Sequence, residues 1–484
     1  GEQAVVSGDA AKAEQDFAQA RSSLLRATEL LPNSPQGWIS LSDFERRMYQ
    51  RMHDPKLIQV ADVAADHAID ISMGYWPGIQ NKGRVLLEQD KVNEAVALVE
   101  KFLSMSPQNV EARRELIQLL LRLNNIPRAI QLTEEGTRMY PQDSAWQTMA
   151  ATLNVQRNDM PKATAAFDAA FVIQPGIDEL VACVNQRLRG EKKDWEAAMK
   201  LLRANPRLVS TSSNAQILLA IGLVNTGQRE PGLAAMRTAY KTITTGIASG
   251  ALRVEDWGMW FSGLGQCFDK KPQESEAFLK SLLGNTAFNY WDCTGLAALY
   301  ADLGPSGTKT AIEWLERAAA LAKAKSNSDS NQLQAVALLQ VGNLLYKEND
   351  FLNSTRYFEQ ALELIPNNPS ALNNAAYLIA KSGTNSARAV ELARKCVALN
   401  PNVDDFQDTL GYALLMDGKS AEALEPFQKA IVMSQKPGSM IHLAQAFIEL
   451  KRPIDAKEYV EKAKSKSPTE EQIAELKLLE SKLN

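Results

Sequence analysis

Residues 95–107 read AVALVEKFLSMSP, residues 129–141 read AIQLTEEGTRMYP, and residues 163–175 read ATAAFDAAFVIQP. Each stretch opens on alanine and closes on proline, so Ala95, Ala129 and Ala163 recur every 34 residues, as do Pro107, Pro141 and Pro175. A fixed period in the range of about 20–50 residues marks stacked supersecondary units. The proline belongs just past the end of a helix, because it has no N–H and its ring clashes with the preceding turn.

The same residue types recur well beyond these three stretches. Val341, Gly342, Leu345, Phe358, Ala361 and Pro366 repeat the pattern, as do Leu410, Gly411, Tyr412, Leu414, Ala423, Phe427 and Ala430. Ala444, Phe447, Ala456, Ala463 and Pro468 repeat it once more. Small residues at Gly83, Gly222, Gly265, Gly342 and Gly411 are expected midway along a first helix, where they let a second helix approach. The alanine twelve residues later is the facing small position, and the large residue after it fills the gap between units.

In spacing and residue type these strings resemble the tetratricopeptide repeat, a helix–turn–helix unit of about 34 residues. The resemblance implies an all-α fold, a right-handed α-solenoid in which the first helices line a concave groove. About thirteen units fit, starting near 1, 35, 76, 110, 144, 178, 215, 258, 290, 335, 369, 404 and 437. Residues 471–483 are expected to form a capping helix with Ile473, Leu476, Leu479 and Leu483 on one face, since a terminal repeat otherwise exposes its outer surface. The frame is irregular near 50–57 and 249–257. The polar run KAKSNSDSNQ begins at Lys323, and it divides an N-terminal array (1–322) from a linker (323–334) and a C-terminal array (335–484).

Composition narrows the functional classes. With 53 Lys+Arg against 57 Asp+Glu the net charge is −4, which offers no broad cationic field for nucleic acid. No apolar run reaches the roughly 18–20 residues of a membrane span. Cys183, Cys267, Cys293 and Cys396 are far apart, and His53, His67 and His442 are isolated, so neither a metal centre nor a disulfide framework is expected. Gly304–Thr310, GPSGTKT, lacks the Gly-Lys adjacency and the preceding strand of a phosphate-binding loop; an inter-helix turn is expected there. No cofactor is expected, and no catalytic residue.

The repeat family mostly serves as scaffold and peptide-binding surface, so the resemblance implies a non-enzymatic adaptor for partner proteins in a multi-protein assembly. Candidate groove residues are Asn343, Asn374, Tyr377 and Tyr412 toward the C-terminus, and Arg84, Arg114, Gln118 and Arg122 nearer the N-terminus. The arginines would suit an acidic peptide. Relatives that hold chaperone tails use a clamp of two Asn and three cations; here those positions are Leu339, Asn343, Asn374, Asp405 and Thr409. The cations are lost, so a terminal carboxylate is not the expected ligand. The two Asn either grip a peptide backbone or bond neighbouring helices. Trp257, Tyr290 and Trp291 either pack an irregular junction or form a partner patch. The phrasing of 373–378 and 408–412 resembles bacterial arrays. This supplies the alternative of an accessory subunit of an envelope machine, periplasmic or membrane-associated, with a membrane anchor ahead of Gly1.

Overall fold

The turn inside seven of the repeats is built the same way, and it sets the period. After the first helix the chain places one residue in the left-handed region, at Asp90, Asn124, Asn158, Gly227, Asn349, Gly418 and Lys451, with φ between 55° and 81°. Asn, Asp and Gly tolerate that region best. The following N–H then reaches back to the helix, as in Asn125 N–H to Leu120 O and Asp159 N–H to Asn154 O, both 2.8 Å. Asn or Asp next caps the second helix: Asn125, Asp159 and Asp350 each accept from a backbone N–H of its first turn. The link between repeats uses Asn109, Asp143 and Asn368, two residues after a proline, in the same way.

The computed structural model describes residues 10–52, 54–249, 255–325 and 329–483, which form 27 helices with no strand among the described residues. They fall into two compact units, Gly1–Thr211 and Ser212–Asn484. The N-terminal unit runs α1 (Ala10–Leu30), α2 (Pro35–Met52), α3 (Pro55–Ile71), α4 (Trp76–Glu88), α5 (Val92–Met105) and α6 (Val110–Arg122). It continues with α7 (Ile126–Met139), α8 (Ser144–Gln156), α9 (Met160–Ile173), α10 (Ile177–Arg187), α11 (Trp195–Ala204) and the short α12 (Pro206–Thr211). In the C-terminal unit the pairs are α13 (Ser213–Asn225) with α14 (Arg229–Ala248), α15 (Glu255–Cys267) with α16 (Pro272–Leu283), and α17 (Tyr290–Ala301) with α18 (Pro305–Lys325). Then follow α19 (Ser330–Lys347) with α20 (Phe351–Leu364), α21 (Pro369–Ser382) with α22 (Ser386–Leu399), α23 (Asp404–Met416) with α24 (Ser420–Ser434), α25 (Pro437–Glu449) with α26 (Pro453–Lys464), and finally α27 (Glu470–Leu483).

Each helix pair from α2 onward packs on itself and on the next within its unit, which is a solenoid. Of the first expected repeat, residues 1–9 lie outside the described residues, and the remainder is the single helix α1. The extra residues of the second repeat lengthen α2 and α3. Within the expected linker 323–334, α18 continues to Lys325 and α19 starts at Ser330, whose Oγ donates to Ala322 O at 2.6 Å. Residues 326–328 lie outside the described residues, and the boundary between compact units falls at 211/212. The cap packs on α25 and α26 through Leu476 and Leu479, which are buried, while Ile473 is exposed.

Small–large contacts hold the pairs together. A Cβ on Gly411 would lie 2.6 Å from the Phe427 ring, and one on Gly342 would lie 2.9 Å from Phe358. Both rings are buried, each contributing about 1.5–3 kcal/mol. Gly83 differs, because nothing approaches its missing Cβ within 4 Å. Between repeats, Gly136 of α7 receives the buried Trp146 of α8, with an added Cβ only 2.3 Å from the ring. Gly136→Ala should therefore destabilise by about 1–3 kcal/mol through overpacking. Hydrogen exchange should show α7 and α8 loosening while α21 and α22 keep their protection; uniform exchange along the chain would contradict nearest-neighbour packing.

Candidate functional site

In the C-terminal unit the first helices touch one another: α13 meets α15, α15 meets α17, α21 meets α23 and α23 meets α25. Among the described residues their second helices make no comparably close contact, so the first-helix side is the narrower, inner side of each stack. There Asn374, Asp408 and His442 occupy equivalent positions of three successive repeats, 34 residues apart. Asn374 Nδ2 donates to Asn343 Oδ1 at 3.4 Å, and His442 Nδ1 lies 3.1 Å from Asp408. Beside this column runs a ladder of rings. Tyr377 and Tyr412 are 5.4 Å apart, and Tyr412 and His442 are 4.8 Å apart. Lys381 Nζ sits over Phe351 at 4.9 Å and over Tyr377 at 5.7 Å.

Charge on this face is mixed. Burial alone would depress the His442 imidazolium, but Asp408, with help from Glu475 of the cap and against Lys381, holds its pKa above the ordinary histidine value. Burial and neighbouring carboxylates push the Tyr377 and Tyr412 phenols up, so both remain neutral donors. Asp405 is answered by Lys436 at 2.6 Å. Of the lost clamp positions, Thr409 is buried and Leu339 packs on the core, so neither presents a group to a carboxylate.

The structure separates the other candidates. Arg84, Gln118 and Arg122 are exposed. Arg114 instead pairs with Asp143 at 2.6 Å, its guanidinium 5.3 Å from the centre of the Trp146 ring, so it ties α6 to the next repeat. The partner patch is corrected as well. Trp257 is 5% exposed and Tyr290 1%, because both rings are drawn into the repeat junction. Trp257 packs edge-on against Tyr240, and Tyr290 Oη donates to Leu333 O at 2.9 Å. Trp291 is half-buried, edge-on to Tyr290. Lys381 and Glu475 went unread in the sequence, and Asp408 and His442 were not read as a pair, although the spacing of Asn374, Asp408 and His442 is the repeat period itself.

Other chemistry finds little footing. All four cysteines are buried and free, and burial pushes each thiol up to about 12. Among the described residues no three His, Cys, Asp or Glu side chains gather into a metal site, and no helix is long and apolar enough to cross a membrane. His53 lies outside the described residues, while His67 stacks on Trp38 at 4.5 Å. Gly304 makes the turn into α18 with φ 63°, leaving no phosphate loop.

Comparison with known proteins agrees with this architecture. Residues 86–153 and 335–368 match tetratricopeptide repeat family models. These two stretches are tetratricopeptide repeats, and the helix pairs around them share that architecture. The small glutamine-rich tetratricopeptide repeat-containing protein 2 of Mycosarcoma maydis is 28% identical over 104 residues, 22% of this chain and 29% of that relative. The match therefore spans less than a third of that protein's length. Among solved structures, the APC/C hetero-tetramer Cut9–Hcn1 is 12% identical with TM-score 0.36, over 94% of this chain and 99% of that one. YrrB, described as a TPR protein with an unusual peptide-binding site, is 19% identical with TM-score 0.33, over 42% and 98%. MamA from Desulfovibrio magneticus RS-1 is 22% identical with TM-score 0.30, over 35% and 93%.

The Asp408–His442 pair gives a pH dependence with a definite sign. A histidine whose folded pKa is raised adds stability below its unfolded value of about 6.5, and that contribution is lost as pH rises through the folded pKa. Asp408→Asn should lower the His442 titration midpoint, read from its imidazole proton resonance, and shrink the stability gap between about pH 6 and about pH 8. An unmoved midpoint would show that Asp408 does not set it.

Proposed function

We propose that this chain is a non-catalytic scaffold that holds partner proteins along the inner, first-helix faces of its repeats. The carrying observation is the column and ladder on α19, α21, α23 and α25. The cores of these repeats use their small and large residues on one another, whereas Asn343, Asn374, Tyr377, Tyr412 and His442 leave amide, phenol and imidazole groups on the inner side. Such groups pair with the N–H and C=O of an extended segment and stack on its side chains. With Asp405 neutralised by Lys436, and Leu339 and Thr409 withdrawn into the core, the face favours backbone recognition over a terminal carboxylate. The mutual bond between Asn343 and Asn374 is long, at 3.4 Å, and opens at little cost when a peptide arrives. In the N-terminal unit, Arg84, Gln118 and Arg122 offer a second surface for an acidic segment.

Photo-crosslinking tests this directly. Benzoylphenylalanine placed at Tyr377 or Tyr412 should give discrete crosslinked protein species in the native host. The same residue at Val432, 86% exposed on the second helix α24, should not. Crosslinks confined to position 432 would put the partner on the opposite side and refute the proposal.

A further inference from the structure

Away from the inner face, a cleft of about 790 Å³ opens between α14 and the α16–α17 connection. Its lining includes Arg237 and Lys241 on one side, and Leu282, Leu283, Thr286 and Ala287 on the other; no carboxylate lines it. Arg237 and Lys241 are four residues apart on α14, so they share one helical face and repel each other. Both are exposed, and neither has an ion-pair partner among the described residues. The carboxylates nearby are otherwise engaged. Glu274 pairs with Arg229 and Lys271, and Glu276 with Lys280 and Tyr300. Asp292 is buried behind the cleft, one oxygen accepting from Tyr240 Oη at 3.1 Å and the other from Asn289 N–H at 2.9 Å.

The opposite wall adds donors. Gly284 turns the chain out of α16 with φ 58°, and Thr286 N–H returns to Leu283 O at 2.9 Å. The next backbone N–H group, of Ala287, has no partner among the described residues, nor does the Thr286 hydroxyl. Arg237 is held over the Phe278 ring at 5.0 Å, which orders its guanidinium at the rim.

We propose that this cleft binds a phosphomonoester carrying a small apolar body. Two neighbouring cations match a dianion, and a phosphate monoester carries about −1.5 to −2 at neutral pH. The guanidinium fork, the ammonium, the threonine hydroxyl and the Ala287 N–H supply the donors that its three oxygens require. Leu282, Leu283 and Ala287 receive the apolar part. The site lies on the second-helix side and is independent of the inner-face reading.

Calorimetric titration of the full chain with phenyl phosphate tests it. One saturable site is expected, weakened by added salt and by about tenfold or more in the Arg237→Gln/Lys241→Gln double variant. Both side chains are exposed, so the variant keeps its fold, which circular dichroism checks. Lys429→Gln, whose ammonium pairs with Glu425 on α24, should bind as the parent does. Benzoate, with one charge, should bind more weakly than phenyl phosphate. Tighter binding of a short phosphotyrosine peptide would place the natural source in a partner protein, and equal or weaker binding would place it among free phosphomonoesters. Absence of saturable binding at millimolar ligand, an unaffected double variant, or benzoate as strong as phenyl phosphate would overturn the proposal.

Discussion

The contact between a phenylalanine ring and the bare backbone of a glycine sets how the helices meet in two of the C-terminal repeats, α19–α20 and α23–α24. Phe427 lies where a Cβ on Gly411 would stand, and Phe358 does the same to Gly342. A ring can enter that space only when the two helices of a repeat cross closely and in one register. Overpacking by even one methyl group is felt in an interior this dense. Because the second helix spends its large residue inside the pair, the first helix keeps its polar and aromatic residues for the inner side. The groove chemistry thus depends on the packing chemistry.

The turns add a constraint of length. One left-handed residue between the two helices, then an Asn or Asp cap, leaves no slack in the connection, and the proline two residues before the next cap closes the repeat. Repeats that break the length do so in their helices: α2 and α3 are 18 and 17 residues long, against 13 and 14 in α6 and α7. Where α14 meets α15, Tyr240 packs edge-on against Trp257 and Trp260 and donates to the buried Asp292. Desolvation raises that carboxyl to about 6, against the pull of Asn289 and Tyr240. A group with its pKa raised this way favours the folded state most when protonated, so this junction loses stability as pH climbs from about 4 to about 6.

Much of this was legible in the sequence, for a physical reason. Proline, glycine and alanine act locally, so their spacing declares helix ends and close approaches without tertiary information. Helix pairing from Pro35 to the cap follows from it. Aromatic density carries no such direction: Trp257 and Tyr290 read equally as patch or core until the surrounding helices are placed. Arg114 shows the same limit, since its partner Asp143 lies 29 residues away and reaches it only through stacking. Composition alone likewise does not show that Ser330 folds back onto the end of α18. Asp408 and His442, by contrast, were available to the repeat frame, since stacking places residues one period apart side by side.

The most direct test of the Gly–Phe constraint is a double-mutant cycle on Gly411→Ala and Phe427→Leu, with unfolding free energies from denaturant titration. If the ring and the glycine share one space, trimming the ring makes room for the methyl group, and the double variant should be less destabilised than the sum by about 1 kcal/mol or more. Gly411→Ala with Phe358→Leu, two repeats away, should add to within about 0.5 kcal/mol. Additivity in both cycles would contradict the account, because it would mean that this contact does not set how the helices of a repeat meet.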